Sequence, residues 1–415
     1  MIHNVLRTAY FVILASLVGC SSLAPLLASR TPTPVPVSQT TSTPQPFTNS
    51  TQTALPATEA RVLRVWLPPR FEPNADTASS KLLKQRLADF ESSHPGLEIE
   101  VRIKAETGEA SLLNSLSITS NAAPTALPDL IAISRPDLEA AALKGLLHPI
   151  DGLSTVLQDP NWYVYARELG QIQNIGYGLP FAGDALVLIH RPELEINTWD
   201  DILSSKEPLL FPASDQQALV LLSLYISAGG KITNEQGLPM LEEQPLTQTF
   251  TLVQNGLESK TFSPALLNFE TDAQSFQAYR DEHAKMVVTW AVNYRGVEDG
   301  IRKLIPSLNS TPHTFANGWI WALAGSNPEN QQVATELAEY LIADEFVGNW
   351  LEGTGYLPTR ISQNSEANAI LESAQAIPSN EALLVLGPIM NEALSRVLNG
   401  DQVQVVVRSV MEQIQ

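Results

Sequence analysis

Apolar and polar positions change rhythm repeatedly between residues 59 and 415. Val62-Leu63-Arg64-Val65-Trp66-Leu67 is a short apolar run stopped by Pro68-Pro69, which predicts a strand. Lys81 to Phe90 then carries Leu83, Leu87 and Phe90 at helical spacing, closed by His94-Pro95-Gly96. Leu97 to Ile103 alternates strictly and predicts a half-buried strand. A helix is expected over Glu109–Ser117. A buried strand is expected over Asp129–Ile133, followed by a helix through Leu138 and Leu143 that ends at Gly145. Strands alternating with helices predict a mostly parallel sheet covered on both faces. Ligands of such sheets bind beyond the carboxyl ends of the strands.

The same reading continues from Tyr177. Phe181–His190 is strand-like, and Thr198-Trp199-Asp200-Asp201 reads as a helix start with a threonine cap and acids in the first turn. Ala218–Ala228 is apolar throughout and too long for a strand, so it predicts a buried helix. Lys285–Trp290 and Trp319–Leu323 are further strands. Gln331–Ile342 and Glu381–Leu398 are further helices.

The first 58 residues follow a different pattern. Arg7 precedes an apolar stretch, Ala9 to Val18, which is shorter than the roughly 20 residues a membrane span needs. It ends at Leu17-Val18-Gly19-Cys20, with small Gly19 before the only cysteine. This resembles the lipobox of bacterial lipoproteins, whose cysteine thiol is acylated. Residues 1–20 are therefore expected to be a lipoprotein signal peptide, with Cys20 as the lipid anchor. Residues 21–58, rich in Pro, Thr and Ser, are expected to form a disordered stalk. The expected location is outside the cytoplasm, on the outer face of the cell membrane.

The 415 residues hold 25 Lys+Arg against 44 Asp+Glu, a formal net charge of -19. That balance excludes nucleic acid as a partner and leaves the lipid as the only expected membrane contact. One cysteine excludes intrachain disulfides and thiolate metal clusters. No phosphate loop, His-Glu-x-x-His or Gly-x-Ser-x-Gly occurs, and the six histidines are scattered. No metal or cofactor is expected. Asp200-Asp201 and Glu242-Glu243 fit helix starts or solvated turns. What stands out is a set of aromatics on short, turn-flanked segments: Phe181, Trp290, Tyr294, Trp319, Trp321 and Tyr356. Aromatic faces stack on the apolar faces of sugar rings. Trp319 and Trp321 share one strand face, and either can be core or cleft.

The order of several short segments resembles the family 1 extracellular solute-binding proteins, the maltose-binding-like receptors of bacterial ABC importers. The carriers begin with Val65-Trp66-Leu67-Pro68, His94-Pro95-Gly96 and Leu127-Pro128-Asp129-Leu130-Ile131. They continue through Lys144 to Ile150, Tyr177-Gly178-Leu179-Pro180-Phe181 and Thr198-Trp199-Asp200. Gly318-Trp319-Ile320-Trp321-Ala322 and Gly355-Tyr356-Leu357-Pro358-Thr359-Arg360 complete the set.

The resemblance implies an α/β, two-lobe periplasmic-binding-protein fold of type II, with hinge crossings near 182–186, 307–315 and 343–346. Lobe 1 would comprise 59–183 plus 312–343, and lobe 2 would comprise 184–311 plus 344–415. It implies a monomer, not an enzyme, that captures a small solute, a carbohydrate above all, for ABC permease subunits. Residue by residue, it assigns ligand contact to Phe181 and Asp184 at the first crossing, and to Trp290 and Tyr294 in the second lobe. It also assigns Trp319, Tyr356 and Arg360, and Arg70 and Phe71 after the first strand. Trp199 is assigned to structure. The chain departs from the family at Ile189-His190-Arg191, where Tyr-Asn-Lys is frequent, and at Ala132-Ile133-Ser134-Arg135, which lacks the frequent aromatic or acid. A smaller or more polar solute stays open, as do a secreted glycan hydrolase with two facing acids and a surface sensor or adhesion module.

Overall fold

A computed structural model describes residues 61–309, 311–361 and 365–414. The expected signal peptide with Cys20 and the expected stalk over 21–58 lie outside the described residues.

The chain opens with three βα units: β1 (Arg61–Leu67), α1 (Ala78–Ser93), β2 (Leu97–Ile103), α2 (Leu112–Ala122), β3 (Leu130–Ser134) and α3 (Arg135–Leu143). Helix α2 starts later than the apolar pattern suggests, because the Ser111 hydroxyl accepts from the Asn114 N–H and fixes the cap there. A short helix, α4 (Val164–Leu169), and a small hairpin, β4 (Gln171–Ile172) with β5 (Ile175–Gly176), lead into β6 (Gly178–His190). The next stretch holds α5 (Trp199–Ser205), β7 (Leu209–Leu210), α6 (Leu219–Ser227), α7 (Glu243–Ser259), α8 (Asp272–Arg280), β8 (Met286–Trp290) and β9 (Ile301–Lys303). Then β10 (Thr314–Leu323) is followed by α9 (Pro328–Leu341), α10 (Asp344–Thr354), α11 (Ser365–Glu372), β11 (Ala374–Ala376), α12 (Asn380–Leu398) and α13 (Val403–Gln413).

The strands join in the order β2-β1-β3-β10-β6-β8-β7, with β11 on β10 and β9 on β6. The outer strands are parallel (β1 with β2 and β3, β7 with β8), as the βα alternation requires. The two long strands are different: β10 is antiparallel to both β3 and β6, and β6 is antiparallel to β8. At about 3.3 Å per residue, the 13 residues of β6 span roughly 40 Å. Its first half lies beside β10, and Leu186–His190 pairs with β8. Each of its 13 residues is buried, which hides its length from an alternation test.

Helix α5 starts as expected: Thr198 accepts from the Asp201 N–H, and the Asp201 carboxylate reaches back to the Thr198 N–H in a capping box. Glu242 and Glu243 mark the start of α7. Helix α6 is buried nearly all round, as its unbroken apolar run implies. Helices α12 and α13 pack on α7, whereas α10 packs on α1. Its Trp350 reaches Phe71 and Phe181, ring centroids 5.2 and 5.6 Å apart. Helix α10, expected in the second lobe, therefore lies along the helical layer of β1–β3. Among the described residues, no helix is long and apolar enough to cross a membrane.

Candidate functional site

The two long strands meet at a pair of glycines. Gly318 of β10 lies opposite Gly183 of β6, flanked by Asn317 opposite Asp184 and Trp319 opposite Ala182. A Cβ on Gly183 would come within 2.1 Å of the Tyr165 hydroxyl, and one on Gly318 within 2.6 Å of the Ala182 carbonyl. Close backbone approach is what glycine permits here. Above this crossing lies a cavity of about 470 Å³ lined by Arg70, Glu106, Ser134, Asp137, Asp184, Asp272, Trp290, Val292, Asn293, Asn317, Trp319 and Tyr356, among others.

The wall follows the carboxyl ends of the strands. Arg70 comes after β1, Glu106 after β2, Ser134 and Asp137 at the end of β3, and Trp290 at the end of β8. Arg70 is held on two sides. Its Nε donates to Glu106 Oε1 at 2.6 Å, a second nitrogen reaches Oε2, and a third reaches the Tyr356 hydroxyl. The guanidinium carbon lies 5.2 Å from the Trp319 ring centroid. Burial alone would lower the Arg70 pKa, but hydrogen bonding to Glu106 and the charge of Glu106 raise it above its ordinary value. The Trp319 indole N–H also donates to the Tyr356 oxygen, at 3.1 Å. Burial pushes the Tyr356 hydroxyl above the usual phenol range.

The opposite wall is acidic. Asp184 is only 8 % exposed, and its Oδ1 accepts from the Val292 N–H at 3.1 Å and from its own neighbour Ala185 N–H at 3.0 Å. Burial, reinforced by the Asp272 charge, raises its pKa to about 8 against the pull of those N–H groups. Asp272 opens α8; its two oxygens accept from Thr289 Oγ1 and Asn293 Nδ2, each at 2.7 Å. Asp137 lies in the first turn of α3, where Ser134 caps the helix. Burial raises both Asp137 and Asp272 above the ordinary carboxylate range.

The expected site residues separate into two groups. Arg70, Asp184, Trp290, Trp319 and Tyr356 line the cavity. Phe71, Phe181, Tyr294 and Arg360 do not. Phe181 is fully buried, edge-on to Phe71 at 5.3 Å and stacked on Trp321 at 4.4 Å. Phe71 in turn supports Trp319 from below, at 5.4 Å. Of the two tryptophans on β10, Trp319 therefore faces the cavity and Trp321 the core, and a register shift falls between Trp319 and Ile320. Tyr294 donates to the Gly300 carbonyl at 3.0 Å and carries Arg302 on its ring at 4.9 Å. Arg360 is engaged by Asp159 and Asp344 and lies over Trp162, away from the cavity. Trp199 donates to the Pro306 carbonyl at 2.7 Å, a structural role.

Sequence reasoning passed over Glu106, Ser134, Asp137, Asp272, Asn293 and Asn317. For Glu106, Ser134 and Asp137 the signal was position just past a strand. The acid sought directly after Leu130-Ile131 comes instead at Asp137, one helix cap later.

A family model described as bacterial extracellular solute-binding protein matches residues 85–378. The chain belongs to that family. Its members are binding proteins, not enzymes, so the acids of this solute-binding protein are not hydrolytic and the glycan hydrolase alternative is withdrawn. Nothing among the curated proteins matches the chain in sequence. Solved structures share the two-lobe fold. Maltose-bound MalE3 of T. maritima is 13% identical, with a TM-score of 0.65 over 86% of this chain and 99% of that one. A cyclo/maltodextrin-binding protein complexed with maltotetraose is 20% identical, with a TM-score of 0.67 over 85% and 96%. An ABC transporter solute-binding protein from Thermotoga lettingae TMO, bound with α-D-tagatose, is 18% identical, with a TM-score of 0.60 over 86% and 100%. In this solute-binding protein the cavity lies beside the paired stretch of β6 and β10, where Asp184, Asn317, Gly318 and Trp319 line it.

Proposed function

We propose that this solute-binding protein is a lipid-anchored extracytoplasmic receptor that captures a small carbohydrate between its lobes and delivers it to an ABC permease. The observation that carries the carbohydrate reading is the pair Trp290 and Trp319, on strands β8 and β10, both lining a cavity whose remaining wall is mostly polar side chains. Aromatic faces beside hydrogen-bonding groups suit a ring with one apolar face and peripheral hydroxyls. The solved relatives hold maltose, maltotetraose and tagatose, which supports the same class here. Capture is a population shift: solute binds the closed form better, and the closed form is what a permease would recognise.

The lobes are proposed as 59–183 plus 312–343 and 184–311 plus 344–415, with α10 packed on the first. Cys20 acylation and the Pro/Thr stalk would hold the receptor at the cell surface as a monomer near its permease.

A thermal-shift screen of mono- and oligosaccharides, polyols, amino acids and polyamines tests solute capture, because a ligand that binds only the native form raises Tm. The expected hit is a saccharide. A screen in which no solute shifts Tm overturns the reading. For the anchor, mass spectrometry of the mature full chain is expected to find an acylated amino terminus at Cys20, and Cys20→Ser is expected to release the protein into the medium. An unmodified Cys20 in the mature chain overturns that part alone.

A further inference from the structure

The cavity holds more carboxyl groups than it pairs with cations. Four carboxylates line it, Glu106, Asp137, Asp184 and Asp272, against one cation, Arg70. Glu106 takes two of the three nitrogens of the Arg70 guanidinium, and Tyr356 takes the third. Asp137, Asp184 and Asp272 have no ion-pair partner among the described residues. Two of these three have local compensation. Asp137 and Asp272 sit in the first turns of α3 and α8, where the helix dipole favours a negative charge. Asp184 lies mid-strand and lacks that help. Its Oδ1 is fully used by the Val292 and Ala185 N–H groups, while its Oδ2 meets no protein donor. The side chain is more than nine-tenths buried, yet it lines the cavity. A carboxyl oxygen left open to a binding space, with a second carboxyl nearby, suits a positive or strongly proton-donating partner from the solute.

Geometry narrows where that partner would be. The turn after β8 holds both acids: the Val292 N–H donates to Asp184, and Asn293 Nδ2 donates to Asp272. Trp290 begins the same turn, and Trp319 lines the same cavity. We propose that the captured carbohydrate is an aminated one, whose protonated nitrogen is received by Asp184 with Asp272 beside it while its ring lies against Trp290 or Trp319.

This rests on the carbohydrate reading above and narrows its solute class. The groups facing Asp184 are Asp272 from α8, Arg70 after β1, Tyr356 from the loop after α10 and Tyr165 from α4. Burial, with the Asp272 charge added, favours the protonated form of Asp184 in the empty site, so an incoming ammonium would displace that proton to solvent.

Isothermal titration of the intact protein near pH 7 separates the outcomes. The probes are glucosamine oligomers, their N-acetylated counterparts of equal length, neutral malto-oligosaccharides and spermidine. The free-amine oligomer is expected to bind at least about tenfold tighter than the N-acetylated one. Its binding enthalpy is expected to vary with the ionisation heat of the buffer, which reports proton release. Asp184→Asn keeps an acceptor for both N–H groups and is expected to abolish the preference and the proton release; Asp272→Asn is expected to weaken both. N-acetylated or malto-oligosaccharides that bind equally well would overturn the amine, with solute capture intact. Spermidine binding without saccharide binding would overturn the ring. No binding by any probe, joined to no shift with any solute in the wider screen, would overturn the capture reading itself.

Discussion

Trp319 and Tyr356 meet at one oxygen. The indole N–H donates to the Tyr356 hydroxyl at 3.1 Å, and Arg70 donates to the same oxygen from the other side. Tyr356 comes from the loop after α10, Trp319 from β10 and Arg70 from the turn after β1. The hydroxyl thus locks the orientation of an aromatic face at the cavity wall, and Phe71 beneath Trp319 keeps the ring from sinking. A binding surface made this way needs little rearrangement to receive a flat ring.

That distinction between wall and support can be measured. Trp290 is half-buried and lines the cavity, so Trp290→Ala is expected to weaken solute binding by roughly 10–100-fold, about 1.4–3 kcal/mol, with a small change in Tm. Phe181 is fully buried in the aromatic cluster, so Phe181→Ala is expected to cost about 3–5 kcal/mol of stability. Titration calorimetry on the first variant and denaturant unfolding on the second check the pair. Equal effects on affinity and stability in both would contradict the assignment.

The empty protein carries a pH signature at Asp184. Its folded pKa of about 8 lies above the ordinary aspartate value of about 4. The folded state therefore holds this proton more tightly than the unfolded one. The contribution is complete below the unfolded value and is lost as pH rises through about 8. Asp184→Asn is expected to flatten the decline of Tm between about pH 4 and pH 8 and to leave the mutant the more stable of the two at the alkaline end. Parallel melting curves for both proteins across that range would count against a buried, protonated Asp184.

The strand crossing tolerates no added methyl. A Cβ at Gly183 would meet the Tyr165 hydroxyl at 2.1 Å, so Gly183→Ala is expected to destabilise the fold by roughly 1–3 kcal/mol. Tyr165 donates to the Pro358 carbonyl at 2.8 Å, and Tyr165→Phe alone loses that bond. The double variant is expected to cost less than the sum of the two, because removing the hydroxyl also removes the clash. Additive losses in urea unfolding would place the strain elsewhere.

Arg360 supports a loop instead of touching the cavity. Arg360→Leu breaks its ion pairs with Asp159 and Asp344, and the expected loss is about 1 kcal/mol of stability with solute affinity unchanged. A selective fall in affinity without a change in Tm would return Arg360 to the ligand-binding residues.

Much of the frame is legible in local pattern. Leu97–Ile103 alternates and is a strand with those bounds. Thr198 with Asp201 announces a helix start that the structure shows as a capping box. The apolar run from Ala218 becomes a buried helix. These features depend on neighbours a few positions apart, and periodicity reports them directly. Helices α7 and α8 were passed over because Gln, Thr and Glu dilute their apolar stripes, and only packing against α13 and β8 makes them secure.

By itself the sequence determined the βα order, the helix cap at Thr198, the acidic balance and the likeness to solute receptors. The tertiary structure alone decided which aromatics are wall and which are core, and which acids converge. Phe181 and Trp319 look alike in sequence, yet the antiparallel pairing of β6 with β10 buries one and turns the other to the cavity. Asp184 is joined to Val292 across 108 positions, and no local rhythm records a contact of that range. Burial and charge at the cavity arise from elements that meet only once the sheet is assembled.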